Sequence, residues 1–171
     1  MNKAKSIAKI LFFTTRFLAI IYCCITVYSI LCLSTGLSTT IHSVNQTLDI
    51  LYPFTQNSIL SIDNNLTYMI FEFITPLSLY SLFFFLSSKV FKAFYQPKLF
   101  TQYGITQLKL FYLSNIMIPI LITLLSSIFI EIESYILLLI IVHFVLGIFA
   151  YFIHEIFKQG LQLQNEQDLF I

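Results

Sequence analysis

The sequence predicts an all-α integral membrane protein: a bundle of four transmembrane helices with an amphipathic outer helix and both termini in the cytoplasm. The first observation behind this prediction is that 58% of the 171 residues are hydrophobic and only 10% are charged. A soluble domain carries about 25% charged and about 45–50% apolar residues. This composition disfavours a soluble enzyme, a disordered chain and a protein that binds nucleic acid directly, and it makes the lipid bilayer the main partner.

The second observation is the length of the apolar stretches. Crossing the hydrocarbon core of a bilayer takes about 20 helical residues, and backbone groups in lipid must pair within their own segment. Four stretches are long enough, over residues 10–33, 68–91, 110–130 and 135–157. They leave an outer loop over 34–67, an inner loop over 92–109 and a tail over 158–171, all within a single membrane domain. In the inner loop, Thr101 has the pattern of a helix N-cap, with the apolar residues Phe100 before it and Ile105 after it, so the third helix is expected to begin near Gln102.

The third observation is the distribution of the basic residues. With an even number of spans, both termini lie on the same side of the membrane. The nine basic residues are Lys3, Lys5, Lys9, Arg16, Lys89, Lys92, Lys98, Lys109 and Lys158. All of them fall on the side of the termini, whereas residues 35–67 contain none. Because basic loops stay in the cytoplasm, we expect both termini to be cytoplasmic in a multi-pass protein of the bacterial plasma membrane.

The outer loop carries a helical pattern. Its apolar residues Leu37, Ile41, Val44, Leu48 and Leu51 follow at spacings of 4, 3, 4 and 3, which is typical of one face of a helix. Gly36 precedes this stretch and Pro53 ends it. The pattern therefore predicts an amphipathic helix at the outer surface.

Two charged residues lie near the inner ends of the first and last spans. Arg16 and Glu155 are expected at similar depths, and ionisable groups inside a span are functional candidates because they are costly there. One interpretation is an ion pair between them. The alternative is that Arg16 extends its guanidinium to the lipid headgroups.

Further polar candidates lie deeper in the spans. His143 and His154 share one helix face with Gly147 and Ala150, which favours a packing face where each histidine makes one hydrogen bond. Glu72 and Asn115 each lie one turn before a proline, as in the broken helices of carriers.

The sequence gives no catalytic constellation. The three cysteines all fall within the first span without metal-binding spacing, and there is no glycine-rich phosphate loop. We therefore expect a protein that is not an enzyme and has no cofactor or metal.

The end of the chain carries a recognisable motif. From Phe157 to Ile171 it reads F-K-Q-G-L-Q-L-Q-N-E-Q-D-L-F-I. This resembles the "F-x-x-G-x-x-L-x-x-E-x-D/E-L-T-I" ending of the YoaS-like family of bacterial four-span membrane proteins of unknown function, although Phe170 replaces the usual Thr. The step from Lys98 to Thr101 is similar to that family's "x-x-F-T" entry to its third span.

The resemblance implies a regulatory or sensing role. Genes of this family often neighbour one for a small helix-turn-helix transcriptional regulator, so the tail is expected to bind such a cytoplasmic partner. The candidate binding residues in the tail are Gly160, Leu163, Glu166, Asp168, Leu169 and Ile171. A subunit of a small carrier or channel, a structural or assembly role, and a homo-oligomer are the alternatives that the sequence leaves open.

The predicted orientation can be tested with reporters. A cytoplasmic reporter fused after Ile171 should be active, and a reporter inserted next to Gln56 should report an external location, because the basic residues hold their side of the protein in the cytoplasm. The opposite pattern of activity would refute the orientation.

Overall fold

The computed structural model describes residues 2–42 and 47–168. Its long helices are α1 (Asn2–Thr35), α2 (Leu66–Phe94), α3 (Gln102–Ser126) and α4 (Ser134–Asp168). Three short strands, β1 (Thr39–His42), β2 (Thr47–Leu51) and β3 (Ser58–Asp63), lie between α1 and α2 in the chain. Within the described ranges, these four helices are long and apolar enough to cross a membrane, as expected of a helical multi-pass protein.

The outer surfaces of these helices are apolar. Large side chains such as Ile10, Leu121 and Leu138 each expose more than half of their surface. Contiguous apolar patches of this kind are rare on soluble monomers, where water would have to cover them. Hydrocarbon solvates such side chains without this cost, so the exposed faces agree with four spans.

Two helices are longer than a membrane crossing. At 1.5 Å per residue, α1 and α4 each extend for about 50 Å, compared with about 30 Å of hydrocarbon. Compared with the predicted spans, α1 begins before residue 10 and α4 continues beyond residue 157. The segment predicted as a tail is therefore helical as far as Asp168.

The chain divides into two compact units. The termini unit comprises Met1–Phe17 and Phe83–Ile171, and the sheet unit comprises Leu18–Leu82. In the termini unit, a core of Leu86, Ile105, Leu108, Phe111 and their neighbours joins α2, α3 and α4. The Lys5 Nζ donates a hydrogen bond to the Pro97 carbonyl at 3.1 Å, which holds the start of the chain at the connection between α2 and α3.

The sheet unit is built around a small antiparallel sheet of strand order β1-β2-β3. In register, Leu48 lies opposite Ile41 on one side and Ile62 on the other. Leu48 and Ile50 are two residues apart and therefore point to the same face, where both are buried. They pack with Cys32 of α1 and with Met69 and Phe73 of α2.

The predicted amphipathic outer helix over residues 37–51 is wrong. The described part of this segment forms β1 and β2 instead, and residues 43–46 lie outside the described residues. The apolar spacing did not distinguish the two structures, because Leu48 fits both the helical spacing of residues 37–51 and the alternating pattern of a strand. Ile50, which the helical stripe leaves out, is fully buried, as the alternation of a strand requires.

Helix α2 contains a π-helical segment at Met69–Ile74, just before Pro76. The Thr75 N–H bonds to the carbonyl of Ile70, five residues back instead of four. A proline at residue 76 has no N–H for the carbonyl of Glu72, and its ring crowds that carbonyl. The wider turn accommodates this local break in the hydrogen-bond ladder.

Helix α3 begins where its capping residue predicts. The Thr101 hydroxyl accepts a hydrogen bond from the Gly104 N–H at 3.1 Å, which confirms Thr101 as the N-cap and Gln102 as the first helical residue. Gly104 itself faces Phe157 of α4, and a Cβ at this position would lie 3.1 Å from that ring. The start of α3 is therefore fixed both by its cap and by its contact with α4.

Two substitutions distinguish the sheet from the predicted helix. Ile50→Ala should destabilise the protein by about 2–4 kcal/mol because it leaves a cavity in a buried site. Ile41→Ala should change stability by less than about 0.5 kcal/mol, since this side chain is exposed. The measurement is SDS-induced unfolding of the purified protein in mild detergent. Equal effects of the two variants would contradict the sheet.

Candidate functional site

Polar side chains in the middle of α3 and α4 meet each other. The His143 Nδ1 and the Asn115 Oδ1 lie 2.8 Å apart. The Asn115 Nδ2 donates to the Phe111 carbonyl at 2.8 Å, so its Oδ1 is the remaining acceptor and the His143 Nδ1–H must be the donor. The sequence singled out both residues, and the structure brings them together as one interhelical hydrogen bond.

A third helix, α2, also contacts this pair. The Phe83 ring of α2 meets the His143 ring edge-on, with ring centroids 5.3 Å apart. One turn along α4, Gly147 lies against α3 so closely that a Cβ there would be 2.5 Å from the Ile116 Cγ1. Ala150 continues the same buried face. The predicted packing face of α4 is therefore confirmed, and its small residues allow α3 to approach.

His154 lies further along the same face and is also a packing histidine. Its Nδ1–H donates to the Ile105 carbonyl at 3.0 Å, and its ring contacts the edge of Tyr112 at a centroid distance of 5.4 Å. The ring is buried against α3. Each histidine thus makes one hydrogen bond to α3, as the sequence predicts.

Of the two interpretations of Arg16, the ion pair with Glu155 is not formed in the structure, which gives the two side chains different neighbours. The Arg16 guanidinium lies over the Phe85 ring, 4.8 Å from its centroid. The Glu155 carboxylate lies 3.8 Å from the His154 Nε2 and 4.0 Å from the Lys158 Nζ. Two side chains at a similar depth on two helices need not face each other. Here the Arg16 guanidinium makes a cation–π contact with the Phe85 ring of α2.

Glu72 belongs to the sheet unit, whereas the other five intramembrane candidates belong to the termini unit. It lies in the π-helical segment of α2, and its side chain is exposed. Within the termini unit, the structure gives the Asn115–His143 pair, the contact of His154 with α3 and the separate surroundings of Arg16.

The beginning of the predicted tail is held by the termini unit. The Phe157 ring is buried between the rings of Phe94 and Phe100, at centroid distances of 5.2 and 5.4 Å. One turn later, a Cβ at Gly160 would lie 2.6 Å from the Phe100 ring, so only glycine admits this contact. Leu161 also packs against the core. Sequence reasoning placed Gly160 in the tail but missed Phe100, which it read only as part of a helix start.

Tail residues between Lys158 and Glu166 form one wall of a groove. This groove has a volume of about 730 Å³ and lies between the start of α3 and the end of α4. Most of the residues that line it carry a polar or charged group, and the lining comprises Gln102, Ile105, Thr106, Lys109, Tyr112, His154, Lys158, Leu161, Gln162, Asn165 and Glu166. The Glu166 carboxylate accepts a hydrogen bond from the Gln162 Nε2 at 3.1 Å.

The predicted binding residues of the tail have different surroundings. Gly160 packs against the Phe100 ring inside the protein, and Glu166 lines the groove. The Leu163 side chain is 61% exposed. The side chain of Asp168 and the whole of Leu169 and Ile171 lie outside the described residues. Among the predicted binding residues that the structure describes, Leu163 is the one with an exposed apolar side chain.

The described part of the chain has no group of three or more His, Cys, Asp or Glu side chains that could hold a metal ion. Cys23 and Cys24 are exposed on α1 and Cys32 is buried in the sheet unit, all as free thiols. The chain matches no protein-family model, curated protein or solved structure. The geometry of the termini unit is therefore the basis for a functional proposal.

The Asn115–His143 bond can be measured by a double-mutant cycle. Asn115→Ala and His143→Ala should each destabilise the protein, and the coupling between them should be about 0.5–1.5 kcal/mol, as for other hydrogen bonds between membrane helices. The control cycle pairs Asn115→Ala with His154→Ala, which bond to different partners and should be additive. SDS-induced unfolding gives the free energies. Additive losses in the first cycle would exclude the interhelical bond.

Proposed function

We propose that this chain is a regulatory or sensing protein of the bacterial plasma membrane, not an enzyme, which binds a cytoplasmic partner through the end of α4. The observation that carries the proposal is the form of that end. It is a helix that continues past the predicted membrane boundary and is anchored at Phe157 and Gly160. It then presents an exposed Leu163 and a groove in which most lining residues carry a polar or charged group.

The charge distribution supports a cytoplasmic position for this surface. All nine Lys and Arg residues belong to the termini unit, whereas the sheet unit contains only acidic charges, from Asp49, Asp63 and Glu72. Basic segments are retained on the cytoplasmic side of bacterial membranes. The groove, which includes Lys109 and Lys158, would then open next to the inner leaflet and be accessible from the cytoplasm.

The resemblance of the tail to the YoaS-like ending supports a choice of partner. A small helix-turn-helix regulator, held at the membrane or released from it, would make the contact with DNA. An amphipathic helix or peptide of the regulator could place polar side chains in the groove and apolar ones on Leu163. The protein itself would not contact nucleic acid.

A carrier or channel subunit is the second candidate. The π-helical segment before Pro76 favours it, because transporters use interrupted helices at their substrate sites. Against it, the deepest polar groups of α3 and α4 bond to each other and not to an open path. The regulatory proposal therefore has the stronger support.

The test removes the projecting part of the tail. Deleting Gln162 to Ile171 leaves Phe157, Gly160 and Leu161 in place, so insertion should survive and the melting temperature in detergent should fall by less than about 3 °C, roughly 1 kcal/mol. The resemblance predicts a helix-turn-helix regulator encoded beside the gene, and membrane recruitment of this regulator, carrying a fluorescent tag, should be lost.

Two point variants make this test specific. Leu163→Glu should abolish recruitment without lowering the melting temperature, because the side chain is exposed. Leu86→Ala should lower the melting temperature and leave recruitment intact, because this side chain is buried in the core and does not line the groove. Recruitment that survives both the deletion and Leu163→Glu would refute the proposed role of the tail.

A further inference from the structure

The connection between β2 and β3 ends in an exposed aromatic tip, formed by residues 52–57. The Tyr52 N–H bonds to the Asn57 carbonyl at 2.9 Å, and the Thr55 N–H bonds to the Tyr52 carbonyl at 3.1 Å, so the tip is an ordered turn. Phe54 is fully exposed at its end, and Tyr52 exposes about half of its surface. A defined loop thus presents two aromatic side chains outward.

Local folding does not explain the phenylalanine. Phe54 follows Pro53 and has a φ of 62°, in the left-handed region. A turn with proline in its second position and a positive φ in its third favours glycine or asparagine there. A bulky side chain in this conformation is strained, and the fully exposed Phe54 ring makes no packing contact that would offset the strain. A contact outside the chain would account for a phenylalanine at this position.

The start of the tip lies beside a membrane helix. The Tyr28 hydroxyl of α1 donates a hydrogen bond to the Leu51 carbonyl, the residue before the tip, at 2.7 Å. Tyr28 comes seven residues before the end of α1 at Thr35, which is about 10 Å along the helix axis. Because α1 is one of the four helices able to cross a membrane, the tip begins alongside this helix and not beyond its end.

The chemistry of the tip also favours lipid. Residues 50–62 contain no charged side chain, so no ion has to be desolvated when this hairpin end enters a bilayer. Aromatic side chains with an apolar body and a polar edge concentrate at membrane interfaces. In the same unit, Leu37 and Leu66, next to the ends of α1 and α2, are also large, apolar and exposed.

We propose that the β2–β3 tip inserts Tyr52 and Phe54 into the interfacial region of the outer leaflet and so anchors the sheet to the bilayer. The occupant of this aromatic surface is uncharged interfacial lipid. Since residues 35–67 contain no Lys or Arg, insertion does not require anionic headgroups. The proposal depends on the membrane position of α1 and is independent of any partner of the tail.

The natural sequence allows a direct test because it contains no tryptophan. Phe54→Trp therefore creates a single fluorescent reporter at the tip of the full-length protein. The variant is placed in phosphatidylcholine nanodiscs, where both faces are accessible to water-soluble quenchers. Lipids brominated near the carboxyl end of the acyl chain should reduce its emission by at least about twofold, as expected for a side chain buried at the headgroup boundary.

The matched control is Ser61→Trp, a single tryptophan at an exposed, uncharged position of β3 in the same sheet. It should be quenched by iodide from the water and not by the brominated lipid. Tyr52→Trp provides a second reporter at the tip, should Phe54→Trp not fold. Replacing a third of the lipid with phosphatidylglycerol should not change the quenching of either tip reporter.

Two outcomes would overturn the proposal. Quenching of both tip reporters by iodide to the same extent as Ser61→Trp would place the tip in water. Protection from both iodide and brominated lipid would mean that protein, either a second copy of the chain or another subunit, covers the tip. Failure of the tail experiments would affect neither result.

Discussion

The packing of α4 on α3 depends on a glycine, Gly147, at a point where the two helices lie close to each other. At Gly147 the helices are so close that a Cβ would overlap the Ile116 side chain. Lipid provides no hydrophobic force between helices, so close contact and interhelical hydrogen bonds must hold them together. The close approach at Gly147 lies one turn from His143, which bonds to Asn115. Two other glycines allow similar close contacts: Gly104 with the Phe157 ring and Gly160 with the Phe100 ring. Larger residues at these glycines would separate the contacts on which the termini unit is built.

The sequence predicted the parts of the fold that follow from hydropathy and helical period. Four spans, the histidine face of α4 and the Thr101 cap could be derived because each depends on residues close together in the chain. The outer sheet could not be derived in this way, because a strand is stabilised by pairing with other strands elsewhere in the chain. The short apolar stretch around Leu48 fits either period, and only pairing with β1 and β3 decides between them.

The site was predictable to a similar extent. Composition and position identified Asn115 and His143 as polar residues inside spans, but not as partners, since that requires the rotation of one helix against another. The rotation of the helices also decides the neighbour of Arg16: the sequence left an ion pair with Glu155 and extension to the headgroups open, and the structure places the guanidinium over the Phe85 ring. The groove at the end of α4 was missed because its walls come from residues far apart in the chain.

Several polar groups inside the predicted spans are already hydrogen-bonded within the protein. Thr26 and Ser87 bond to carbonyls of their own helices, and Asn115 and His143 bond to each other. A polar group satisfied in this way has little capacity left for a ligand in hydrocarbon, where breaking its bond would leave an unpaired group at a cost of several kcal/mol. Lys109, Lys158 and Glu166 instead lie along the groove formed by α3 and α4. The proposed partner would bind there without first breaking the contacts that hold the helices together.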